Sequence, residues 1–175
     1  MKGWQFGVIL GCFIGTWPGD AAGQQRDPTS SEIVQIDGSK HPELIPQWSA
    51  WGYAFRVFAG GPRMLPSSVL AHVTEAEQAL IIREADAVQG SDVTCMARHR
   101  KILANRGNKK LEDVDKEVRE LSLDCRWETL RARDRVLADL TPDAQAALTA
   151  FVESTKAGTS LAIPKKDLAR FREPE

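Results

Sequence analysis

What the chain lacks narrows its chemistry first. It has no Gly-x-Ser-x-Gly elbow, no glycine-rich phosphate loop and no EF-hand loop, so serine-hydrolase, nucleotide and calcium readings have no local support. Histidine is sparse, with 3 in 175 residues. His41, His72 and His99 form no Glu-x-x-His, His-Glu-x-x-His or Cys-x-x-Cys-His pattern, which removes the local signatures of a di-iron bundle, a zinc-protease helix and a haem attachment. Carboxylates are plentiful, yet no spacing pairs two of them into an acid–base site. No catalytic, cofactor-binding or metal-ligating residue is therefore assigned, and no cofactor is implied. Neither sign of charge dominates: 23 Lys and Arg stand against 24 Asp and Glu, for a formal net charge of -1. No global field calls for nucleic acid or a strongly anionic surface as partner.

The long apolar run is also short of membrane-spanning length. After Lys2 it extends from Trp4 to Trp17 and is stopped by Pro18 and Gly19; about fourteen residues fall below the roughly twenty that a spanning helix needs. A charged start, an apolar centre and small residues at Ala21-Ala22-Gly23 are the three parts of a secretory signal. Cleavage is expected after Gly23, with Ala21 as the second choice. The competing readings are an uncleaved anchor and lipid attachment at Cys12, but the apolar run continues through Phe13 and Ile14 instead of ending at the cysteine. Residues 1–23 are thus read as a signal peptide and the mature chain as exported, periplasmic or extracellular. Its remaining roughly 150 residues suit one domain with one core, and no later stretch could span a membrane.

Cysteine is nearly absent. Once Cys12 leaves with the leader, only Cys95 and Cys125 remain, and an even count in an exported chain points to a disulfide. Geometry adds to parity. If the flanking helices fold back about residues 107–110, the two thiols lie at depths of roughly 18 and 22 Å at the helical rise per residue. Cys95, His99 and Cys125 could alternatively hold zinc, since the first two share a helical face, but an oxidising compartment favours the bridge and no fourth ligand is indicated.

What is present is helical periodicity. Gln24 to Ser31 is polar and reads as a tether. Ile33-Val34-Gln35-Ile36 is extended and ended by Asp37-Gly38, too short to define a sheet. From Pro46 to Phe58 the residues Trp48, Trp51, Phe55 and Phe58 fall on one helical face, and Ala59-Gly60-Gly61-Pro62 ends the helix. A turn over 69–73 leads to Thr74-Glu75-Ala76-Glu77, which has capping-box spacing, followed by the stripe Leu80, Ile81, Ala85 and Val88 up to Gly90. A third helix is expected over 91–105, burying Val93, Met96, Ile102 and Leu103. The longest periodic segment carries Leu111, Val114, Val118, Leu121 and Cys125 at alternating spacings of three and four, continuing through Leu130, Leu137 and Leu140. Thr141-Pro142 opens another helix with Leu148, Phe151 and Val152 inward, closed by Gly158. Ser160-Leu161-Ala162-Ile163 is extended, and 165–171 offers a short helix. The fold class is all-α: a single helical bundle of about five helices over 42–158, preceded by a flexible or extended segment over 24–41 and followed by an irregular tail over 159–175.

Two local features admit a functional and a bland reading. Arg98, Arg100, Lys101, Arg106, Lys109 and Lys110 form a run free of acids that could hold phosphate or an acidic polymer; the simpler account is a helix C-terminus whose cations complement the dipole. The aromatic face of the first helix, Tyr53 included, could be a groove but at that spacing is core. Leu140-Thr141-Pro142-Asp143-Ala144-Gln145 resembles the Leu-Thr-x-x-Gln signature of small periplasmic helical stress proteins and chaperones of the Spy and CpxP type. The glutamine stands one residue late, and the likeness covers six residues. The expected role is a non-enzymatic protein-interaction or envelope-associated one, with envelope or secreted proteins as the expected partner class. The alternatives are a small-ligand binder or enzyme with an interhelical site, and a metal-binding module.

Overall fold

The computed structural model describes residues 32–107, 109–165 and 168. The leader, the 24–31 tether and nearly all of the C-terminal helix expected over 165–171 lie outside them. The elements in order are β1 (Ile33–Asp37), α1 (Gln47–Phe58), α2 (Ser67–Leu70), α3 (Glu75–Ala104), α4 (Leu111–Asp139), α5 (Pro142–Lys156) and β2 (Ser160–Pro164). Short 3-10 turns at Pro42–Leu44 and Pro62–Met64 bracket α1. The protein is mainly helical, and no described helix is long and apolar enough to cross a membrane.

The aromatic stripe of α1 is the centre of the core. Trp51, Phe55 and Phe58 are at most 2% exposed. They join Ile81, Ala85 and Val88 of α3, Ala132 and Val136 of α4, and Leu148 and Val152 of α5. Trp51 and Phe55 stack with ring centroids 5.6 Å apart, and Phe58 meets Phe151 at the same separation. Burying a side chain such as Phe55 stabilises the fold by roughly 1.5–3 kcal/mol, so this one helix anchors the assembly.

The capping box at α3 forms as its spacing predicts. Glu77 N donates to Thr74 Oγ1 at 3.2 Å, and Glu77 Oε2 accepts from Thr74 N at 2.8 Å. Glu77 also does something the spacing does not reveal: its other oxygen accepts from Thr141 N at 2.7 Å. The Thr141 hydroxyl makes no capping bond at the start of α5; Glu77, from a helix far away in sequence, satisfies the backbone amide of the N-cap residue itself. Gln145 Nε2 donates to the carbonyls of Leu137 and Leu140 at 2.7 and 3.0 Å, closing the end of α4.

Three expectations change. Gly90 does not stop a helix: α3 runs 30 residues straight through it, and the regions expected as a second and a third helix are one. An isolated glycine costs about 1 kcal/mol in a helix, which packing of the residues on either side outweighs. The fifth helix is instead the short α2, where a turn was expected. Second, Val93, Met96 and Leu103 are not buried; they are 58%, 53% and 46% exposed, and Ile102 is only half-buried. The distal halves of α3 and α4 form a two-helix arm extending beyond the main core, which takes no residue from 91–110, so their outer faces have no further layer to bury against. Third, the two extended segments pair with each other. β1 and β2 are antiparallel, with Val34 opposite Ile163 and Ile36 opposite Leu161, and these inward residues build a second cluster with Ile45.

Gly38 fixes that small sheet to the bundle. Its amide donates to Thr159 O at 2.8 Å, and a Cβ there would overlap the Lys156 carbonyl oxygen at the end of α5. At the root of the arm, Glu84 of α3, 8% exposed, accepts from Arg135 Nε of α4 at 2.9 Å. The hydrogen bond to Glu84 holds the Arg135 pKa above its ordinary value.

Candidate functional site

The arm and the bundle meet at a cleft of about 350 Å³ between α1, α3 and α4, with Leu161 of β2 at one side. Helical spacing decides what enters it. From α1, Trp48, Gly52 and Arg56 recur every four residues and so share a face; from α3, Asp92, Met96 and His99, at spacings of four and three, also share one; from α4, Leu121, Ser122, Arg126 and Thr129 complete the wall. Gly52 opens space at the centre, since even a Cβ placed there would meet Thr129 Cγ2 only at 3.8 Å.

Cys95 and Cys125 line the same cleft and are joined in a disulfide with Cα atoms 6.4 Å apart. The depths read from the helical rise thus do meet. The bridge ties α3 to α4 and consumes both thiols, so neither is available as a thiolate for the zinc arrangement with His99. Among the described residues, no group of three or more His, Cys, Asp or Glu is placed to hold a metal ion.

Charge enters the cleft in two ways. Arg56 Nε lies 3.3 Å from Asp92 Oδ2, an ion pair across α1 and α3. The Arg126 guanidinium lies over the Trp48 ring, 4.4 Å from its centroid, and burial pushes its pKa below the ordinary arginine value. A cation over an indole face is attracted by the ring quadrupole, by about 0.5–2 kcal/mol depending on desolvation. Two hydroxyls of the cleft on α4 are turned back on their own helix: Ser122 donates to Val118 O at 2.8 Å and Thr129 to Cys125 O at 3.4 Å. Neither is paired with His99 as an activated nucleophile would be.

No family model, curated protein or solved structure matches this chain. The site therefore has to be read from its own residues.

The sequence-level candidates divide accordingly. Trp48, His99, Cys95 and Cys125 converge on the cleft, whereas Trp51, Phe55 and Phe58 are core and Tyr53 is half-buried. His41 lies elsewhere, 3.2 Å from Glu43. In the basic run, Lys109 forms an ion pair with Glu117 at 2.6 Å. Arg56, Asp92 and Arg126 escaped sequence reasoning, because the partners that make them informative lie on other helices. The four-residue recurrence of Trp48, Gly52 and Arg56 was the available signal: a small residue between two large ones on one helical face.

Proposed function

We propose that this is an exported, non-enzymatic protein that works by contact with other proteins through the arm formed by the distal halves of α3 and α4. The observation that carries the reading is the exposure of Val93, Leu103 and Leu111 at 58%, 46% and 71% on an element outside the main core. Large apolar side chains left exposed on an element outside the main core are available to a partner surface. Export rests on the sequence of residues 1–23, and the bridged cysteines are compatible with an oxidising compartment. The arm's mixed charges suit a protein partner better than a polyanion, since Glu112, Asp113, Asp115 and Glu117 follow directly on the basic run.

The test is a pair of assays on the mature protein: capture of envelope proteins by crosslinking from the arm, and suppression of aggregation of a chemically unfolded client. A Leu103→Glu, Leu111→Glu double variant should lose activity in both while keeping wild-type helicity and unfolding midpoint. A wild-type protein inert in both assays overturns the reading.

A further inference from the structure

The furrow between α3 and α4 is filled by α1 over only part of its length. There Ala85 and Val88 of α3 and Ala132 and Val136 of α4 meet the aromatic stripe of α1; the distal halves of α3 and α4 run on past it as the arm. Helical spacing carries the same face onward. On α3, Met96 and His99 line the cleft beside Gly52 of α1, and Leu103 stands two turns beyond Met96. On α4, Ser122 lines the cleft, and Val118, Asp115 and Leu111 stand four, seven and eleven residues before it, in the same row. Met96, Leu103 and Leu111 are exposed and Val118 is half-buried. The cleft is thus the head of an open furrow. At the helical rise per residue the furrow runs about 10 Å along α3 and about 16 Å along α4.

Its two rims carry opposite charge. Arg100, exposed, stands on α3 between Met96 and Leu103, and Asp115, exposed, stands on α4 between Leu111 and Val118. Arg100 lies four residues before the last residue of α3, and Asp115 four after the first of α4, so they flank the furrow at the same level.

We propose that this furrow is a docking site for an amphipathic α-helix of a partner protein, with apolar residues at i, i+3 or i+4 and i+7 and charges of opposite sign on its two flanks. The fold itself shows what the furrow accepts, since α1 occupies it lower down as a helix presenting Trp51, Phe55 and Phe58 at spacings of four and three. Apolar anchors so spaced are the means by which a helix lies in a groove. An extended segment alternates its side chains, so half of them would point away from the walls. An acid on one flank meets Arg100 and a base on the other meets Asp115. Reversing the helix exchanges its flanks, so the rims also select its direction. The Cys95–Cys125 bridge at the head ties the two walls together. This inference rests on the arm being the contact surface and names the shape and charge of what it holds.

The experiment is isothermal titration of the mature, oxidised protein with lactam-constrained helical peptides of about fourteen residues, long enough to span the furrow. The mixed peptide carries leucines at alternating spacings of three and four, glutamates on one flank and lysines on the other. Two further peptides carry glutamate alone or lysine alone on both flanks. A linear fourth has the composition of the mixed peptide with its leucines at every second position. The mixed peptide is expected to bind with a dissociation constant of about 0.1 mM. The uniformly charged helices should bind about threefold more weakly, as exposed ion pairs allow, and the linear peptide about tenfold more weakly or less. Arg100→Glu makes both rims acidic and should turn the preference toward the lysine-flanked helix by about threefold. Leu103→Glu should weaken every helix while keeping the wild-type unfolding midpoint. No binding of the mixed peptide at millimolar concentration overturns the proposal. So does equal affinity for the linear peptide, or a flank preference that Arg100→Glu leaves unchanged. A protein that suppresses aggregation of the unfolded client yet shows no preference for the helical peptides overturns this proposal alone, and the arm reading stands.

Discussion

Glu77 accepts hydrogen bonds from two backbone amides 67 residues apart in the chain, Thr74 N and Thr141 N, through its two oxygens. Those bonds, the one from Thr141 foremost and then those from Thr74, hold its pKa at about 2, well below the ordinary 4.5. The sign follows: a carboxyl with a depressed folded pKa contributes stability that is full above pH 4.5 and is lost as pH falls toward 2. Glu77→Gln replaces one acceptor oxygen by a donor, so it cannot serve both amides. The variant should be less stable than wild type at pH 7, with the difference shrinking as denaturation is repeated at pH 4, 3 and 2; a gap independent of pH would contradict the assignment. Gly90 supports an opposite prediction. It is exposed inside α3, and a Cβ there would meet nothing within 4 Å. Gly90→Ala should therefore stabilise the protein by about 0.5–1 kcal/mol in urea denaturation.

At the scale of elements, the helix starts were legible and the burial of the arm was not. Thr74 with Glu77 and Thr141 with Pro142 are local devices, complete within a few residues, and α3 and α5 begin where they stand. The stripe of Trp51, Phe55 and Phe58 could likewise be read because its burial follows from spacing within one helix. Val93, Met96 and Leu103 have the same kind of spacing, but burial also needs a neighbour, and how far α1 reaches along α3 is a tertiary fact. Gly90 misled because glycine's local cost was weighed without the packing that offsets it. The cleft was half legible: Cys95, His99 and Trp48 stood out by type, whereas Arg126 gains meaning only from the indole it covers. The disulfide makes the arm one element. It closes a separation of 30 residues, for which loop-closure entropy predicts about 3.6 kcal/mol. A Cys95→Ser, Cys125→Ser variant should lose about that much in equilibrium denaturation, read against the oxidised protein. An unchanged midpoint would show that the arm's opening is not linked to global unfolding.

The described residues form a main core around α1, a smaller cluster under the terminal sheet, and an arm extending beyond the main core. The sheet is not an appendage. Gly38 lies so close to the Lys156 carbonyl that the β1 turn and the end of α5 must move together, and Ile36, Leu161 and Ile163 share their cluster with Ile45, just ahead of α1. Ends far apart in sequence are thereby clamped onto the helix that organises the core. The arm is held by the Cys95–Cys125 bridge; among the described residues past it, the buried apolar side chains are Val114 and Leu121. Local stability should grade in the same order, because amides protected by few buried contacts open without unfolding the rest. Native-state hydrogen exchange should find Phe55, Ile81, Val136 and Leu148 exchanging only with global unfolding, and residues 98–107 and 111–118 exchanging through a much smaller opening. Reduction of the disulfide should accelerate exchange in the arm more than in the α1 core. Equal acceleration throughout would mean that arm and core unfold as one unit, and an apolar surface on an independently mobile element would no longer be available to the proposed partners.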